Sequence, residues 1–92
     1  MPQRSVRIVN EAGIHARPAA EIVKTAAKFR AEIMISKDGL EVNAKSIMGV
    51  MMLAAECGST VLLSGEGDDA EAALAAIAAV IENGFGVTLG EV

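Results

Sequence analysis

The stretch "AEIMISKDGLEV", Ala31 to Val42, decides the fold. Its first half alternates, with Ile33 and Ile35 directed to one side, as in a half-buried strand. Asp38-Gly39 follows, a pair that tolerates positive φ at both central positions of a tight hairpin turn. "LEV" (40–42) then reads as a short return strand. An antiparallel hairpin therefore stands in the middle of the chain.

Periodic segments lie on both sides of it. Upstream, "RSVRIVN" (4–10) sets Val6 and Ile8 against Ser5 and Arg7, a further strand. Residues 11–14 form a loop hinged at Gly13, and a helical period begins at Ala16. Ala19, Ile22, Val23 and Ala26 make one apolar stripe, with Glu21, Lys24 and Lys28 on the other side. Downstream, "SIMGVMMLAAEC" (46–57) reads as a helix stopped by Gly58. "STVLLSGEG" (59–67) is the fourth strand. The clearest helix follows, with Asp68 and Glu71 as a D-x-x-E capping signal and Gly84 as its end. Its buried stripe is Ala70, Ala73, Leu74, Ile77, Ala78 and Ile81. The order β-α-β-β-α-β-α predicts an α+β domain over 1–84, a four-stranded, mainly antiparallel sheet with helices on one face. Residues 85–92, "FGVTLGEV", are a short tail.

Composition removes several function classes. Ninety-two residues support a single modest core, and 52% of them are apolar, which argues against disorder. The net charge is −4, with two Phe and no Trp or Tyr. Such a chain lacks the cations and stacking rings that nucleic-acid binding requires. The single cysteine, Cys57, reads as a small buried residue near a helix end and indicates a reducing compartment. No signal core is present, and no apolar run reaches the roughly 18 residues of a membrane span. A cytoplasmic location is expected. One His and one Cys, 42 positions apart, make no metal-ligand set, and G-x-S-x-G is absent. No metal or cofactor is expected.

The one histidine, His15, lies in "NEAGIHARPAAEIV" (10–23), where a loop becomes a helix. Gly13 permits the turn. Pro18 falls in the opening helical turn, where its missing N–H costs nothing, and this places the helix start near His15–Ala16. The first N–H groups of a helix lack intrahelical partners and carry the positive end of its dipole. With Arg17 they make an anion site. A neutral imidazole is a nucleophile. A phosphoryl group accepted on that ring would place its negative charge where these groups bind it. A plain capping or loop role for His15 fits the same residues.

The segment "GIHARPAAEIV" resembles the active-site segment of the HPr family, the histidine-containing phosphocarriers of the bacterial phosphoenolpyruvate-dependent sugar phosphotransferase system. "VNAKSIMGVMMLAAECG" (42–58) resembles that family's regulatory region, and the likeness spans essentially the whole chain. It implies an open-faced β-sandwich with a four-stranded antiparallel sheet and three helices on one side. It implies that His15 Nδ1 accepts the phosphoryl group from enzyme I and donates it to enzyme IIA domains. Ala16 and Arg17 would bind the group. The carrier would have no turnover of its own and would act as a monomer. Many relatives carry a small polar residue where this chain has Ala12, so one contact near the ring is expected to be missing. A nitrogen-branch paralogue carries similar motifs and is the alternative.

Ser46 precedes the second helix and is a natural N-cap. The resemblance adds that HPr kinase/phosphorylase phosphorylates the equivalent serine in many relatives, with a transcriptional regulator as a further partner. A binding protein acting only through phospho-Ser46 is a second alternative. Ile47 and Met51, like Met48 and Met52, are four apart. Not all of these four can face the core, and Ile47, Met48 and Met51 are the ones expected to form an exposed patch suited to several partners. Arg17, Lys24, Lys28 and Lys45 would ring that patch with positive charge.

Overall fold

The computed structural model of the chain describes residues 2–9 and 13–84. Strands β1 (Gln3–Arg7), β2 (Glu32–Lys37), β3 (Leu40–Asn43) and β4 (Thr60–Glu66) form one sheet. Helices α1 (Ala16–Ala26), α2 (Ile47–Met52) and α3 (Ala70–Glu82) lie between and after them. The strand order is β1-β4-β2-β3, and every neighbouring pair is antiparallel. The alternation does what it predicts. Val6, Ile33, Ile35, Val61 and Leu63 are buried beneath the helices, while the intervening residues turn to the open face.

The hairpin that anchors the reading is present. Lys37 pairs with Leu40, and Asp38 and Gly39 both take positive φ, 51° and 86°. That is the geometry whose twist matches the flanking strands. The α3 stripe is also as expected, since all six of its named residues are buried. On α1, Ala19, Ile22 and Ala26 are buried and Val23 packs partly against the core. The apolar faces of both helices thus join one core with the inner face of the sheet.

Three expectations need correction. The second helix does not run to Cys57 and Gly58; it ends at Met52. Leu53 N–H bonds Val50 O and Ala54 N–H bonds Met51 O, three residues back, and Ala54 takes φ +50°. A left-handed residue just past the cap is a common helix stop, occupied here by alanine instead of glycine. Cys57 consequently sits on a loop and is exposed, not buried, with Sγ 3.7 Å from Val9 O. The N-cap of α3 is Asp69 instead of Asp68, and its side chain makes no capping bond.

The Asp69 carboxylate instead reaches across the fold. Its oxygens accept the Arg30 and Ala31 N–H groups, each at 2.9 Å. Chiefly because of the Arg30 N–H, its carboxyl is held below the ordinary aspartate range. An unfolded-state aspartate titrates near pH ~3.9. The stabilisation is therefore complete above that value and is lost as pH falls through the lower folded-state pKa. We expect Asp69→Ala to lower the urea midpoint at neutral pH, and the gap from the parent to narrow as the solution is acidified. A gap independent of pH would contradict this role.

Candidate functional site

The site is built at the N-terminus of α1. Gly13 and Ile14 are buried against the segment between α2 and β4, and Ile14 N–H donates to Ala55 O at 2.8 Å. Gly13 has φ +69°, and a Cβ there would lie 2.5 Å from Ala55 O. Only glycine meets both the conformation and the space. The chain then turns out to the surface. His15 is the N-cap, in extended conformation at φ −119° and ψ −163°. Its carbonyl accepts the first helical bond, from Ala19 N–H at 2.9 Å.

The His15 ring makes no capping hydrogen bond. The residue is exposed, so the imidazole stands at the helix mouth without performing the service its position invites. Ala16 and Arg17, the next two residues, are exposed as well, and no described residue accepts their N–H groups. Pro18 has no N–H and buries its ring. The first turn of α1 contains no acidic residue, and Arg17 joins no ion pair among the described residues. The helix end therefore keeps its partial positive charge, about +0.5 in elementary units. Exposed His15, Ala16 and Arg17 thus stand in succession at the start of α1, an imidazole followed by two backbone donors and a guanidinium-bearing side chain. Open helix N-termini and arginine are both groups that can bind a tetrahedral anion.

Ala12 and residues 85–92 lie outside the described residues. Among the described residues no group of His, Cys, Asp and Glu is placed to hold a metal ion, and no helix is long and apolar enough to cross a membrane.

A family model described as the PTS HPr component phosphorylation site matches residues 2–83. The chain belongs to the HPr family. It is 53% identical over 85 residues to the phosphocarrier protein HPr of Treponema pallidum, covering 92% of this chain and 97% of that protein. A crystal structure of HPr from Thermoanaerobacter tengcongensis superposes with a TM-score of 0.91 at 49% identity, over 97% of this chain and all of that one. The HPr-like protein Crh of Halalkalibacterium halodurans is 49% identical over 82 residues, covering 89% of this chain and 98% of Crh. The family and its HPr relatives make the chain a phosphocarrier of the phosphotransferase system, and the open-faced sheet with three helices is the HPr fold.

Ser46 is the N-cap of α2, and its Oγ accepts the Gly49 N–H at 3.1 Å. Replacing such a cap by alanine typically costs ~1 kcal/mol. We expect Ser46→Ala to lose about that much in urea denaturation. An unchanged midpoint would mean that the cap contributes nothing.

Ile47, Met48 and Met51 are exposed as expected, but so is Met52, at 66%. The expected division of the four residues is therefore wrong. Val50 and Leu53 supply the buried side of α2, and a six-residue helix has no room for a second inward stripe. Helix α2 packs beside α1, whose exposed Arg17 and Lys24 stand in its first and last turns. Lys45 is not a free member of the basic ring, because its Nζ donates to Phe29 O at 2.8 Å.

Two features of the site were not found from sequence. They are the Ala55 carbonyl that holds Ile14 and the left-handed Ala54 that precedes it. Neither alanine carries a side-chain signal for a role made by the backbone.

Proposed function

We propose that His15 is the phosphoryl acceptor of this carrier. The observation that carries the proposal is an exposed N-cap histidine whose ring makes no cap bond, beside the open N–H groups of Ala16 and Arg17. The Nδ1 lone pair attacks phosphorus as the donor's bond to phosphorus breaks, and a P–N bond forms. The new negative charge falls among the α1 N–H groups and the Arg17 guanidinium. Favourable helix-terminus contacts with charge are worth roughly 0.3–2 kcal/mol each. That steadies the phosphohistidine without preventing its onward transfer.

The donor is enzyme I charged by phosphoenolpyruvate, and the acceptor is an enzyme IIA domain. The protein acts in the cytoplasm as a monomer with no turnover of its own. Residues 1–84 form the carrier domain, and 85–92 form a tail. Arg17, Lys24, Ile47, Met48 and Met51 form the docking face. Its apolar methionines suit successive partners, and its cations suit acidic surfaces.

Ser46 is a second phosphorylation site, served by HPr kinase/phosphorylase. A phosphate carried on Ser46 Oγ would fit the start of α2 electrostatically, and its charge would oppose docking to acidic partners. The Crh relative favours a second reading, in which the chain signals through phospho-Ser46 alone. Incubation with phosphoenolpyruvate, Mg²⁺ and enzyme I, followed by intact mass, separates the two. Gain of one acid-labile phosphate, discharged on adding an IIA domain, supports the carrier reading. No gain while a control HPr is labelled would contradict it. An ATP-dependent, acid-stable phosphate that disappears in Ser46→Ala would support the regulatory site.

A further inference from the structure

The segment Ala54–Ser59, between α2 and β4, braces the loop into His15 at both of its described ends. On the upstream side Gly58 N–H donates to Ile8 O at 2.7 Å, and Ile8 N–H donates to Ser59 O at 2.8 Å. On the downstream side Ile14 N–H donates to Ala55 O, and the same carbonyl oxygen occupies the space a side chain at Gly13 would need. His15 is the next residue after Ile14. The aim of the Ala55 carbonyl depends on the residue before it. Ala54 sits at φ +50°, and among the described non-glycine residues only Asp38 of the hairpin turn shares that region. Non-glycine residues there are uncommon, and such strain persists only when the surroundings hold it.

We propose that Ala54 is a positioning residue for phosphoryl transfer. Its left-handed backbone ends α2 and turns the Ala55 carbonyl toward Ile14 N–H. That bond fixes Ile14, and through it the extended backbone from which the His15 ring projects. Transfer between two proteins depends on where the accepting atom stands, and a displacement of ~1 Å is enough to cost ~10²-fold in rate. The proposal rests on His15 being the acceptor, and its test keeps the two claims apart.

The test compares Ala54→Gly, which accepts positive φ freely, with Ala54→Val, whose β-branched side chain resists it. Ile77→Val serves as a control, because it trims the core at fully buried Ile77 on α3 without touching the brace. Two readouts are taken. One is the rate of phosphoryl acceptance from enzyme I. The other is the NMR shifts of the His15 ring and the Ile14 amide in unphosphorylated protein. Ala54→Gly and Ile77→Val are expected to keep the parent rate and shifts. Ala54→Val is expected to stay folded, to move both sets of shifts and to slow acceptance about tenfold or more. If Ala54→Val does not fold, Ala54→Thr, which is also β-branched, provides the same comparison.

Parent-like rate and shifts in the folded Ala54→Val or Ala54→Thr protein would overturn the proposal. Slowing matched by Ile77→Val would overturn it too, since that reports stability alone. If the parent itself accepts no phosphate, the acceptor reading fails, and the shift comparison still decides whether Ala54 sets the position of His15.

Discussion

His15→Ala is expected to end phosphoryl acceptance and to leave the fold as stable as before. The first half follows from chemistry. Alanine offers no lone pair, and no second histidine exists to take over. The initial acceptance rate should fall at least ~10³-fold, to the background of the assay. The second half follows from geometry. The ring makes no capping bond and the residue is exposed, so its removal should change unfolding free energy by less than ~0.5 kcal/mol. An acceptance assay paired with urea denaturation checks both. Retained acceptance would place the phosphate elsewhere. A large loss of stability would show that the ring serves the fold.

Gly13→Ala is expected to damage the fold and the site together. A left-handed L-residue costs roughly 1–2 kcal/mol. Overpacking a close-packed position adds typically ~1–3 kcal/mol. Both apply here, since φ is +69° and the new Cβ would stand 2.5 Å from the Ala55 carbonyl oxygen. The obstacle is backbone, so it cannot swing aside as a flexible side chain would. A loss of about 2–5 kcal/mol is expected by urea denaturation. Transfer by the folded fraction should slow as well, because the Ala55–Ile14 bond must stretch to admit the methyl group. Gly39 gives the comparison. Its φ is +86°, but nothing lies within 4 Å of an added Cβ, so Gly39→Ala should cost only the conformational part. Equal losses for the two variants would contradict the close approach at Gly13.

These contrasts show what was legible in the chain. Alternation and turn chemistry are local, so the Asp38-Gly39 hairpin and the inward Ile33 and Ile35 could be read directly. The α3 stripe could be read for the same reason, because its period stays in register along the helix. The start of α1 was legible because Gly13 permits the turn and Pro18 fits only the opening helical turn. Long-range choices were not. Asp69 passes over its own helix cap for two N–H groups 38 and 39 residues away. The end of α2 was misread because Ala54 carries the left-handed turn that glycine usually marks. That one error moved Cys57 from a helix end to an exposed loop. Shortening α2 also left Met52 with no core to enter. At the site, His15 and Arg17 were visible as chemistry, whereas the brace beneath them is made by main-chain atoms of alanines and was not.

The central claim is that the phosphoryl group resides on His15 at the mouth of α1. The most direct test is ¹H–¹⁵N NMR of the uniformly ¹⁵N-labelled protein before and after charging with phosphoenolpyruvate and enzyme I at neutral pH. The predicted result is a displaced His15 Nδ1 resonance, with Ala16 and Arg17 amide shifts moving alongside it as their N–H groups take up the phosphate. A protein that gains phosphate while the His15 ring resonances stay unchanged would contradict the claim.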